Sequence, residues 1–190
     1  MKRALLATAL VLTAAVGTVG ASPWTSSAAR PTPTPTAGAN PVGPGCAPIK
    51  KSLSGISDKG LGTALAQIPE LSMLSQAVKT ADWQTKFNQA AHLTLFAPDN
   101  HAFQAIPVKT RDKIMANKQE LTKILGYHAV QGRLTPAELK NATLATLQGG
   151  DLTVKGSGKH TTVNQAKLVC GDIQARNATI YIIDKVLMPH

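Results

Sequence analysis

Apolar positions recur every three or four residues through the first half of the chain's globular part. Leu61, Leu65 and Ile68 keep that spacing, and Leu71, Leu74, Ala77 and Val78 resume it after Pro69. Such steps place side chains on one helical face, so two helices are predicted here. Asp82 suits the cap of a further short helix carrying Trp83 and Phe87. The run from His92 to Ala97 reads as a strand that Pro98 ends, because proline cannot donate to a ladder. Pro107 fits the first turn of a helix with Ile114 and Met115, and Leu121, Ile124 and Leu125 form the inner face of the next. Thr135-Pro136-Ala137-Glu138 has the layout of a capping box and predicts one more helix start.

After Leu144 the period moves towards two. Leu152 and Val154 alternate with polar residues, and Thr161-Thr162-Val163 is prone to extended structure. Gly149-Gly150 and Gly156-Ser157-Gly158 are hairpin signals. Leu168-Val169-Cys170 and Ile180-Tyr181-Ile182-Ile183 read as the last strands. Helices gathered early and strands gathered late predict an α+β domain rather than repeated βαβ units.

The chain's beginning reads differently. Lys2 and Arg3 precede an apolar run from Ala4 to Val19, and small residues follow at Gly20, Ala21 and Ser22. That order is the layout of a secretory signal peptide, here residues 1–21, with Val19-Gly20-Ala21 as a cleavage site and Ala28 or Ala29 as a later option. An uncleaved anchor is the alternative, although the run is near the short limit for a span. No cysteine follows the run at once, which argues against a lipid-modified terminus. Residues 22–45 form a linker in which Pro31 to Thr36 alternate proline and threonine, a polyproline-like spacer and a candidate for O-linked sugar. Residues 46–190 have the size of one domain with one core. The mature protein is expected outside the cell, with no transmembrane span, at most loosely held at the envelope, and monomeric.

Charge narrows the partners. The chain carries a net +10, and removing Lys2 and Arg3 leaves 18 basic against 10 acidic residues, a net +8. An excess of that sign favours anionic polymers. The cations are scattered, however, from Lys109 and Arg111 to Lys155 and Lys167. Aromatic residues make up only 4% of the chain, too few for a stacking platform, so nucleic acid is not an expected partner.

Catalytic layouts are missing. The chain has no GxSxG, no HExxH and no phosphate-binding glycine loop. His92, His101, His128, His160 and His190 show no paired metal spacing, and acidic residues are dispersed. No catalytic residue, metal or cofactor is expected. Cys46 and Cys170 form an even pair, which in an oxidising compartment favours a disulfide closing a loop of about 124 residues. Two unrelated thiols or a redox pair are the alternatives, the latter without a CxxC layout.

Three segments carry a family signal. Thr94-Leu95-Phe96-Ala97-Pro98-Asp99-Asn100-His101-Ala102-Phe103 resembles the first sequence box of fasciclin domains. Ile180-Tyr181-Ile182-Ile183-Asp184-Lys185-Val186-Leu187-Met188-Pro189 resembles the second. Between them, Leu125-Gly126-Tyr127-His128-Ala129-Val130 is similar to the family's Tyr-His motif. The resemblance covers roughly residues 50–189. The segments around Cys46 and Cys170 resemble those of the small secreted mycobacterial fasciclin antigens, whose members join these cysteines in a disulfide. The resemblance implies a β-wedge or sandwich of two sheets with helices packed on one side. It also implies a non-enzymatic role in adhesion, towards an extracellular protein, matrix or anionic envelope polymer. A carrier or sensor of a small apolar ligand is the alternative.

The residues themselves suggest narrower roles. Leu95 and Phe103 are predicted to face the core, with Asp99 and Asn100 meeting free backbone donors at a helix start. The run from Ile180 to Leu187 reads as a strand buried on both faces. Asp184 interrupts it, and a buried carboxylate there demands a backbone or basic partner. In animal relatives the Tyr-His region is linked to integrin contact, which makes Tyr127 and His128 candidate partner-binding residues. The competing reading buries both, with each polar atom hydrogen-bonded inside. Of the two Asn-x-Thr triplets, at Asn141 and Asn177, the second more simply supplies a turn before the last strand.

Overall fold

The computed structural model describes residues 41–189. The chain divides into two units, residues 1–35 and 36–190, and only the second contains described residues. The predicted signal peptide and most of the linker lie outside the described residues.

Helices come first. After a single turn, α1 (Cys46–Ile49), helices α2 (Leu61–Gln67), α3 (Ser72–Thr80) and α4 (Gln84–Gln89) follow. The apolar spacing works as read: α2 buries Leu61, Ala64 and Leu65, and α3 buries Leu74, Ala77 and Val78. Asp82 does not cap α4. It adopts a left-handed backbone (φ 58°), Trp83 holds the cap position without a side-chain bond, and the Asp82 carboxylate pairs with Lys118. Strand β1 (Leu93–Pro98) then enters the sheet, and α5 (Asn100–Gln104), α6 (Val108–Ala116) and α7 (Lys118–His128) complete the helical part. Pro98 still belongs to the strand, opposite Ile183, and Pro107 precedes α6 as its cap.

The sheet follows: β2 (Ala129–Gln131), β3 (Thr143–Ala145), β4 (Asp151–Lys155), β5 (Thr162–Val163), β6 (Ala166–Gln174) and β7 (Ala178–Ile183). Strand order is β2-β1-β7-β6-β5-β4-β3. Every pairing is antiparallel except β1 with β7, which runs parallel from Leu93–Ala178 to Pro98–Ile183. The two expected sheets are joined through β6, whose register shifts twice between Leu168 and Ile173. Such irregularities bend a strand. A single bridge, Val130–Thr146, links the two edges.

This bend makes two cores. One lies between helices and sheet and contains Leu65, Leu74, Leu95, Leu125, Ile180 and Ile182. The other contains Phe96, Tyr127, Val154, Val163, Tyr181 and Ile183. Neighbours along β1 and β7 therefore alternate between cores, and every residue of both strands is buried. That is why their sequences are apolar apart from Thr94 and Thr179.

Two local details differ from the sequence reading. The capping box at Thr135 forms, with Thr135 N–H and Oγ donating to Glu138 (2.8 and 2.9 Å), but the backbone makes turns and no helix. Asn141 takes a left-handed conformation (φ 51°), which ends any helical path. At the other end, Val42 and Gly171 exchange backbone hydrogen bonds (2.9 and 2.7 Å), so the last residues of the expected linker lie against β6. Gly43 has φ +146°, and a Cβ there would meet Val169 O at 2.4 Å. Only glycine fits that approach. Next to it, Cys46 and Cys170 are bonded, both buried.

Candidate binding site

The first box is a folding device built from two caps. Asp99 accepts from Ala102 N–H (2.7 Å) and caps α5. Asn100 acts elsewhere: its side chain accepts from Met73 N–H (3.1 Å) at the start of α3 and donates to Pro69 O (3.0 Å). The box thus fixes α3 against the end of β1. Leu95 and Phe103 are buried, as their spacing predicts.

Tyr127 and His128 are neighbours that enter different environments. Tyr127 is 4% exposed and joins the inner core, where its hydroxyl donates to Asp151 O (3.0 Å) and accepts from Asn164 Nδ2 (3.3 Å). His128 is 1% exposed. Its Nδ1–H donates to Ile124 O (2.8 Å), one helical turn back, and its Nε2 accepts from Leu187 N–H (3.0 Å). Burial pushes the imidazole pKa down to about 4, against a smaller opposing pull from the Ile124 carbonyl, so the ring is neutral at pH 7. Both side chains are buried, with their polar atoms engaged by internal hydrogen bonds.

Asp184 is half-buried rather than buried. Its carboxylate accepts from Lys167 N–H (2.6 Å), the backbone partner that its position demands. Asn177 does more than shape a turn. Its Oδ1 accepts from Leu61 N–H (2.9 Å), and its Nδ2 donates to Phe87 O (2.7 Å) and Ala90 O (2.6 Å). One side chain therefore ties α2, α4 and the start of β7. A second polar group joins Arg133 to Gln174 and to Ala175 O (3.1 Å), while Gln174 donates to Asp172. Burial raises the Asp172 pKa, and Gln174 and Arg133 only partly oppose it. Burial likewise lowers that of Arg133.

Two concave features adjoin these motifs. The first is an apolar crevice between α3, α5, α6 and α7, lined by Leu74, Phe103, Arg111, Ile114, Leu121 and Ile124 among others, with His128 at its wall. No polar atom contributes to its accessible wall, so Arg111 lends only its aliphatic stem. Its free volume is about 10 Å³, room for one water at most. The second is an open groove of about 580 Å³ lined by His160, Thr161, Thr162, Lys167 and Asp184 beside Gly45. The sheet register places Lys155, Thr162 and Lys167 in one row across β4, β5 and β6.

Among the described residues no group of three His, Cys, Asp or Glu could hold a metal ion, and no helix is long and apolar enough to cross a membrane. The chain matches the family model of the fasciclin domain over residues 69–189.

The chain belongs to the fasciclin family.

The fasciclin domain here is similar to mycobacterial proteins. It is 38% identical over 167 residues to the immunogenic protein MPB70 of Mycobacterium bovis, covering 82% of this chain and 86% of that one. It is 38% identical over 159 residues to the cell surface glycolipoprotein MPB83 of the same species, covering 79% and 67%. Among solved structures, a FAS1 domain pair from the insect cell adhesion molecule Fasciclin I superposes with a TM-score of 0.61 at 16% identity. That match covers 71% of this chain and 52% of the insect chain, and at this identity it speaks for the fold alone.

Several residues of this fasciclin domain escaped the sequence reading. The bonds of Asn177 and Arg133 join segments distant in sequence, and no local spacing announces them. The crevice depends on where α6 lies over α7. Only a weak signal existed for it, the scarcity of apolar residues between Val108 and Ile114.

Proposed function

We propose that this protein is an exported, non-enzymatic adhesion module that contacts an anionic polymer of the cell envelope or matrix. The observation that carries this reading is the open groove at β5 and β6, where Lys167 and His160 stand beside threonine hydroxyls. Lys155 lies two strands away on the same row, roughly 10 Å from Lys167 at the usual strand spacing. Two cations at that separation suit a chain of repeating anionic groups. Asp184 faces the same groove, but one of its oxygens is engaged by the Lys167 backbone. The Tyr127 hydroxyl, both His128 nitrogens and one Asp99 oxygen are held in internal bonds, which supports a surface role over chemistry. The net +8 of the chain beyond Lys2 and Arg3 acts in the same direction. The relative named as a cell surface glycolipoprotein supports a location outside the cell.

A pull-down against isolated cell-wall and matrix polymers, repeated across a salt titration, tests this. Capture that falls with added salt and drops at least tenfold in Lys155→Glu/Lys167→Glu is expected. Capture by neither polymer class, or capture indifferent to both salt and the double variant, would overturn it.

A further inference from the structure

The helix α6 is unlike its neighbours. Helices α2, α3 and α7 each bury four or more residues, whereas α6 buries none. Ile114 and Met115 only partly reach the helix-side core, and Val108 is 59% exposed. The helix has no side-chain cap at Pro107. At its other end, the Asn117 side chain caps α7 by accepting from Gln119 and Glu120 N–H (3.0 and 3.2 Å). Pro107 and Asn117 both have extended backbones, so α6 is a nine-residue flap between two extended joints. Its separation would remove little buried area, which places it at the low-stability end of the domain.

Beneath this flap lies the crevice with no polar wall. His128 does not make it polar, since both ring nitrogens are taken by backbone groups. Leu74, Phe103, Leu121 and Ile124 supply a surface suited to hydrocarbon. At the rim, Arg111 gives its stem to the crevice, and its Nε lies 3.6 Å from the well-exposed Asp112. Lys109 and Lys113, two residues to either side of Arg111, lie on the opposite, exposed face of the helix, so Arg111 is the cation at the crevice. Lys118 at the start of α7 is already paired with Asp82. An apolar slot with one guanidinium at its rim is complementary to a molecule with a hydrocarbon tail and an anionic head.

We propose that the space under α6 is a binding site for a single long-chain carboxylate, with the tail between α3, α5 and α7 and the head group at Arg111. The free volume of the closed crevice excludes an acyl chain. Binding therefore requires α6 to lift, which withdraws Ile114 and Met115 and opens the slot to the length of the tail. This reading is independent of the groove at Lys167, on a different part of the domain.

The test uses the full chain and palmitate as probe. Fluorescence of the conjugated fatty acid cis-parinarate, displaced by palmitate, reports occupancy. A fluorophore on Val108→Cys, already exposed, reports movement of α6. Saturable one-to-one binding is expected, with a shift of the Val108 probe on addition of palmitate. Arg111→Glu is expected to weaken binding at least tenfold while circular dichroism stays unchanged. Ile124→Trp serves as a second variant, filling the slot; where it folds, binding is lost. Absence of displaceable binding would overturn the proposal. Binding that Arg111→Glu leaves intact, or that leaves the Val108 probe still, would do the same. So would association with anionic phospholipid vesicles but not with monomeric palmitate, because that outcome assigns α6 to a membrane surface.

Discussion

The Nε2 of His128 accepts a hydrogen bond from the backbone N–H of Leu187, 59 residues further along the chain. One histidine at the end of α7 therefore holds the segment after β7, and it does so only while its Nε2 is unprotonated.

This makes stability pH-dependent in a defined direction. An unfolded chain takes up a proton on His128 near pH 6.5, but the folded protein does so only near pH 4. Between those values the unfolded state binds more protons, so stability falls as pH drops through the window. The loss amounts to about 3 kcal/mol, complete below pH 4. Asp172, with its raised pKa, acts in the opposite sense at acid pH. The comparison that isolates His128 is urea denaturation of the protein and of His128→Gln from pH 4 to 7. The variant is expected to be less stable at pH 7 and to show a flatter profile. Parallel profiles would refute the assignment.

Asn177→Ala removes three hydrogen bonds and leaves backbone groups of Leu61, Phe87 and Ala90 without partners. A loss of about 2–4 kcal/mol is expected, read as a lower denaturation midpoint. The same bonds bear on the Asn177-Ala178-Thr179 triplet. Mass spectrometry of protein made in a glycosylating host is expected to show Asn177 unmodified, since its amide nitrogen already donates to two carbonyls.

Tyr127→Phe keeps the ring in the inner core and removes only the bonds to Asp151 and Asn164. It is expected to cost about 1–2 kcal/mol. Polymer capture measured at equal folded fraction is expected to stay at the parent level. A drop in capture beyond the drop in folded protein would return Tyr127 to the contact surface.

Cys46→Ser/Cys170→Ser opens the loop of 124 residues. In the chain-entropy picture the stability lost is about 4–5 kcal/mol. Differential scanning calorimetry under oxidising conditions reads it as a fall in Tm, and adding reductant to the parent protein is expected to reproduce the fall.

Periodicity revealed the elements but not their partners. The apolar spacing of α2, α3 and α7 and the alternation in β4 are local, so they were visible in the sequence. The turn at Thr135 was misread because its capping box is equally local, while its fate depends on Asn141 and the loop beyond. Asn100 shows the same limit. Its place in the first box suggested a cap for the next helix, yet it caps α3, twenty-seven residues earlier. Tyr127 and His128 were legible as a motif. That they face two separate environments follows from the bend of the sheet, which no residue spacing encodes.

Tension entering the domain at residue 41 would meet the Val42–Gly171 bridge and then the Cys46–Cys170 bond. Both anchor points sit on β6, so the pull is handed across to the sheet and skips everything between the cysteines. Helices α2 to α7, including the flap over the crevice, lie inside that covalently closed loop and stay slack. When the two ends of the described domain are pulled apart, only the chain after Cys170, which is the end of β6, β7 and the tail, can pay out.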